Sequence, residues 1–219
     1  MNLHRRSLFA IALASAAFPV MAQGRALLVE AAARGDLAQV QGLLRAGAGI
    51  EQRDAGGRTA ILAATDGNHL HVVRELIAHG ADVNAQDNRR DSAFLLAGAR
   101  GLTEIVRATL AAGPDLKSTN RYGGTALIPA CHYGHVDTVR LLLTTGIDVN
   151  HVNNLGWTAL LEAVILGDGG PAHTEIVRLL VARKALVSLA DREGITPLEH
   201  ARRRGQLKIA EILIGAGAR

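Results

Sequence analysis

The sequence predicts an all-α repeat solenoid, stacked helix-turn-helix units joined by β-hairpin-like loops, on three observations. Thr59, Ser92, Thr125 and Thr158 recur every 33 residues, and Gly47, Gly80, Gly113 and Gly146 keep the same step. Each step holds two apolar-rich runs. In the step from Asn120 to Val152 they are closed by Gly134 and Gly146, where a helix is expected to end on a residue at positive φ. Runs of about eight to ten residues make helices too short to stand alone, because nucleation costs more than so few hydrogen bonds return. Such units hold only against neighbours, and a fixed period with this layout marks a solenoid.

The elements follow in order within the 120–152 step. Asn120 to Gly124 is turn chemistry, and Thr125 stands where its side-chain oxygen is expected to cap the first helix. Leu127, Ala130, Cys131, Val136, Val139, Leu142 and Leu143 form the apolar stripe, with small residues where the paired helices approach. Pro129 removes one helical donor, an effect confined to the first turn.

This register divides the chain into copies at 26–53, 54–86, 87–119, 120–152, 153–190 and 191–219. The first copy lacks the leading hairpin and reads as an amino-terminal cap. In the second, Asn68 takes a first-helix stop, where asparagine is the best substitute for glycine. The third is irregular: Arg90 replaces the turn glycine, Gly98 lies inside a helix and Pro114 follows Gly113, so this copy is the expected soft point. The fifth carries five extra residues when Gly167 is aligned with Gly134 and His173 with His135. Asp168-Gly169-Gly170-Pro171-Ala172 is then expected to protrude as a loop between the helices. Lys184 stands at another glycine position. The last copy reads as a carboxy-terminal cap with a basic run, Arg202 to Arg204, but Ile209, Ile212, Leu213 and Ile214 are more apolar than a solvated cap requires.

Gly194-Ile195-Thr196-Pro197-Leu198, Gly101-Leu102-Thr103-Glu104-Ile105-Val106 and Gly80-Ala81-Asp82-Val83-Asn84 resemble the unit of the ankyrin-repeat family, and the likeness runs from Ala26 onward. It implies stacked ankyrin repeats in a non-enzymatic module. Partner contacts in that family come from the hairpin tips and the exposed ends of the first helices, on one concave face. For exported bacterial members it implies adaptors or protectors of other envelope proteins, antioxidant enzymes among them.

Met1 to Ala22 is a different kind of sequence. Arg5-Arg6 precede an apolar, alanine-rich run from Leu8 to Phe18, and small residues follow where a signal peptidase reads. The run is too short for a membrane span, so an export signal with cleavage after Ala22 is expected, and with it a periplasmic or secreted protein. Arg5-Arg6-Ser7-Leu8-Phe9 also resembles a twin-arginine motif, leaving two export routes open.

Of 219 residues, 197 remain after such cleavage, ample for one continuous core. The leader takes two arginines and no acid, lowering the formal charge from +4 to +2. An excess that small in a mixed surface is no nucleic-acid footprint, despite a pI near 9.8. Cys131 is the single cysteine, so no internal disulfide can form, and its place in the stripe reads as a small apolar filler.

Aromatic residues mark the expected binding surface. Beyond the leader the chain has Phe94, at a core leucine position, and Tyr122, Tyr133 and Trp157, all at partner-facing positions of the fourth and fifth copies. Large rings with a polar handle beside arginine dominate interface energetics. The expected partner-binding set is Tyr122, Tyr133, Trp157, His132, Leu155, Arg121, Asn154, Arg100, Arg89 and Leu166. The competing reading of Tyr122 and Trp157 is packing over neighbouring hairpins. His69, His135 and His173 hold a position whose role in the family is structural, and neither a nucleophile with a paired base nor a phosphate-cradling loop is visible. No catalytic, cofactor or metal site is therefore expected. The partner is another protein, bound by a monomer without membrane insertion; the alternative is a structural envelope protein that self-associates through its last helix.

Overall fold

The computed structural model describes residues 27–219, and the export leader expected at Met1–Ala22 lies outside them. Helices alternate in pairs: α1 (27–34) with α2 (Leu37–Arg45), α3 (Ala60–Asp66) with α4 (Leu70–Ala78), and α5 (Ala93–Ala99) with α6 (Thr103–Ala111). Then come α7 (Leu127–His132) with α8 (Val136–Leu142), α9 (Ala159–Ile165) with α10 (Pro171–Ala182), and α11 (Pro197–Arg203) with α12 (Leu207–Gly215). First helices pack on first helices, α3 on α5 on α7 on α9 on α11, and second on second, α2 on α4 on α6 on α8 on α10 on α12. One core results, continuous from Leu28 to Ala218, with Phe94 and Cys131 sealed inside it.

Among the described residues no β-strand forms, and the hairpin-like loops contain one antiparallel bridge, Arg53 with Thr59. Each loop is closed by the side chain that opens it. The Asp54, Asp87, Asn120, Asn153 and Asp191 Oδ1 atoms accept from the backbone N–H groups two and four residues on, the turn chemistry these residue types favour. Side chains then stitch one loop to the next. Arg53 Nη1 donates to the Gly57 and Gln86 carbonyls, and Gln86 Nε2 donates to those of Arg90 and Thr119. Asn84 and Asn150, each closing an Asp-Val-Asn triplet, accept the backbone N–H of Asp115 and Leu186 at 2.8 Å.

His69 Nε2 bonds the Ala33 carbonyl at 3.0 Å, His173 Nε2 that of His132 at 2.9 Å, and His135 the Ala99 backbone. Each ring thus ties a second helix to the end of the first helix one copy earlier. Gln206 does the same in the last pair, reaching the Val164 carbonyl at 3.0 Å, and Arg100 reaches that of Asp66 at 2.8 Å where Leu102 has no polar tip.

Several sequence expectations need correction. Ser92, Thr158 and Thr196 do cap their helices, but Thr125 does not: its hydroxyl is buried without a partner and α7 starts later, on Ala126 as cap. Pro129 has no N–H for the Thr125 carbonyl, which instead takes the Ile128 N–H at 3.2 Å, the very donor the hydroxyl required. Gly134 adopts φ 75°, whereas Gly146 stays outside the left-handed region. The Thr144 and Thr145 hydroxyls bond the Leu141 and Leu142 carbonyls at 2.7 and 2.6 Å, so the end of α8 is satisfied by side chains instead of a glycine turn. Between the two helices of the fifth copy the left-handed residue is Gly169, not Gly167. The expected protruding loop is also shorter, because Pro171 and Ala172 open α10, proline being preorganised for a first helical turn. Asn68, Arg90 and Lys184 do adopt positive φ, at 57°, 61° and 62°.

Candidate functional site

Hairpin tips and first-helix ends face each other across a groove of about 1220 Å³ that runs from the Asp54 loop to Leu166. Along its floor the repeat register stacks Leu96, Pro129 and Glu162. Of the expected binding set, Arg89, Arg100, Arg121, Tyr122, His132, Tyr133, Leu155 and Leu166 all line this groove. Asn154 and Trp157 do not. The Asn154 backbone N–H donates to the Tyr122 carbonyl at 2.9 Å, spending this residue on loop stitching, and Trp157 is half-buried beside its own hairpin.

The two ends of the groove differ. Toward the amino terminus its charges are paired internally: Arg58 with Asp54 at 2.8 Å and Asp66 at 3.6 Å, Arg100 with Asp66 at 2.5 Å, and Arg121 with Asp91 at 3.4 Å. Burial nevertheless pushes the Asp91 carboxyl up, with the neighbouring Asp87 adding to the rise. Toward the carboxy terminus the walls are apolar and aromatic. Tyr133, 60% exposed, stacks on His132 with ring centroids 4.2 Å apart, and Leu155 and Leu166 are exposed opposite. The Arg121 guanidinium lies 4.5 Å over the Tyr122 ring, a cation–π arrangement that holds both side chains ready.

Glu162 is the group that sequence reasoning missed. It stands in α9 between Leu161 and Ala163 and is only 6% exposed, yet it opens on the groove. Asn153 Nδ2 donates to its Oε1 at 2.9 Å, and its Oε2 lies 3.4 Å from His132 Nδ1. Burial raises the carboxyl to about 7, the Asn153 hydrogen bond opposing that rise. Burial lowers His132, with His173 adding to the effect. The Cys131 thiol alongside is pushed well above its ordinary value, first by burial and then by Glu162, which leaves it unreactive. A charged residue in the run Ala159 to Ile165, at the register of Leu96 and Pro129, was the available signal.

Among the described residues no group of three His, Cys, Asp or Glu side chains converges to hold a metal, and no helix is long and apolar enough to cross a membrane.

The family model described as Ankyrin repeats (3 copies) matches residues 28–120 and again 94–185. The chain belongs to the ankyrin-repeat family. Its repeats superpose on the ankyrin repeat domain from Acinetobacter baumannii AYE with a TM-score of 0.85 at 54% identity, covering 88% of this chain and 98% of that one. The ankyrin repeat protein EF0377 gives 0.83 at 39% identity with the same coverages, and the ankyrin repeat domain of Bcl-3 gives 0.79 at 28% identity, covering 88% and 86%. In sequence, 57 residues are 51% identical to the ankyrin repeat protein YahD of Escherichia coli (strain K12); the match spans 26% of this chain and 28% of that relative. Ankyrin repeats generally mediate protein–protein contacts, and the family is typically non-enzymatic.

Proposed function

We propose that this chain is a non-catalytic adaptor of the bacterial envelope, six ankyrin repeats behind a cleaved export signal, which grips a protein partner in the groove. The observation that carries this is the cluster of exposed Tyr122, Tyr133, Leu155 and Leu166 along one groove, where arginines are already paired and add no unmet charge. Repeats locked by loop-to-loop bonds present that surface preorganised, which lowers the ordering cost of association. The leader and its Ala22 boundary support a periplasmic or secreted location, by either export route.

A photoreactive residue at position 133, expressed in the native compartment, is expected to crosslink one protein partner, while the same residue at exposed Leu186, outside the groove, does not. Equal capture from both positions defeats the reading. A second reading, self-association, is favoured by α12, where Leu207 is 73% and Ile214 50% exposed. Light scattering of the purified chain separates the two: the adaptor stays monomeric, and self-association gives an oligomer that grows with concentration.

A further inference from the structure

The carboxylates of the groove are not equivalent. Asp54, Asp66 and Asp91 each face an arginine, and Asp87 is spent on the backbone N–H groups of its own turn. Glu162, the most deeply buried of the set, has one oxygen bonded to Asn153, while the other has the His132 ring at 3.4 Å without a hydrogen bond. Glu162 lines the groove together with Tyr133 and Leu166. A mostly buried carboxylate whose second oxygen has no hydrogen-bond donor from the chain itself, at the floor of a binding groove, is a seat for an incoming donor.

We infer that Glu162 is the anchor for a lysine side chain of the protein partner, whose aliphatic stem lies between Tyr133 and Leu155 and whose ammonium group donates to Glu162 Oε2. The inference rests on the groove being the partner-binding site. Lysine fits better than arginine because a guanidinium fork requires two free carboxylate oxygens, and Oε1 is already engaged by Asn153. A compact ammonium needs one. The nearby arginines do not compete with it, since Arg121 and Arg100 are held by Asp91 and Asp66. The titratable groups on the packed neighbours are the Cys131 thiol and His132 of α7, His173 of α10, bound to Asp168, and His200 of α11, bound to Asp191. His132 is therefore the residue able to occupy the seat when the groove is empty.

The test uses immobilised full-length chain and degenerate octapeptide libraries that differ only in one fixed central residue: lysine, Nε-acetyl-lysine, arginine or norleucine. The lysine library is expected to be retained about tenfold better than the acetyl-lysine and norleucine libraries at pH 8, and better than the arginine library, as for a charge-assisted bond to a buried acid. Glu162→Gln, which preserves shape, is expected to abolish the preference while leaving the acetyl-lysine and norleucine libraries bound as before. Libraries retained alike, or a lysine preference that survives Glu162→Gln, overturn the lysine anchor while leaving the groove reading intact. Retention of none, together with no crosslink from position 133, overturns both.

Discussion

Burial holds the Glu162 carboxyl near 7 against an ordinary 4.5, a difference of about 3 kcal/mol between its protonation states. Because the folded value is the higher, the folded chain keeps a proton that the unfolded chain has released. That contribution is complete below pH 4.5 and lost as pH rises through 7. Glu162→Gln cannot ionise, so it is expected to be more stable than the wild type at pH 8 by up to about 3 kcal/mol and equal to it at pH 4.5, measured by denaturant unfolding. His132 acts with the opposite sign, since its lowered pKa removes stability as pH falls, and this largely cancels in the comparison. Tyr133→Ala is expected to leave the melting temperature nearly unchanged and to weaken partner binding at least tenfold, because the ring is mostly exposed over the groove. Trp157→Ala, at a half-buried ring, is expected to lower unfolding stability by about 2 kcal/mol. The exposed hairpin tips Tyr122 and Leu155 and the first-helix end Tyr133 were legible from register alone. Glu162 was not, because its burial depends on what the adjacent copy stacks over it.

Helix boundaries show the same limit at the next scale. Asn68, Arg90 and Lys184 were readable as left-handed residues because the period placed them under glycines elsewhere, and each does bend that way. Gly146, in the column of Lys184, does not, since the Thr144 and Thr145 hydroxyls donate to the end carbonyls of α8. A period locates a position; local donors decide its conformation. Arg90→Gly and Lys184→Gly are each expected to raise stability by about 0.5–1 kcal/mol, relief of left-handed strain exceeding the added chain entropy, as seen in thermal melts. Gly98→Ala is expected to do the reverse of what helix propensity suggests. Its Cβ would lie 2.8 Å from Ala126 Cβ and 2.9 Å from the Ala126 carbonyl oxygen, so α5 and α7 must part, at a cost of about 1–3 kcal/mol.

At the scale of the whole molecule, the all-helical stack was legible because nothing but neighbouring copies could cover such short helices. Stability in such an array is close to a sum over adjacent interfaces, so it breaks first where an interface is poorest. The pair α5–α6 combines the strained Arg90 with Pro114, which has no N–H for the closing bond that Ala48, Ala81, Ala185 and Ala218 make to Leu43, Leu76, Leu180 and Leu213. Native-state hydrogen exchange is expected to show α5–α6 opening before α7 through α10, and uniform protection across these pairs would contradict that.

Arg53 and Gln86 reach acceptors that sit one period apart: Gly57 and Gln86 for the first, Arg90 and Thr119 for the second. Were Asp54 to Gln86 excised, Arg53 would directly precede Asp87 and find, at the same reach, the two carbonyls that Gln86 had used. Shortening by one full unit rejoins the seam like removing a vertebra, whereas cutting half a unit leaves every later donor facing the wrong rung. Outside the turn that carries the five extra residues of the fifth copy, length in this molecule changes in whole steps.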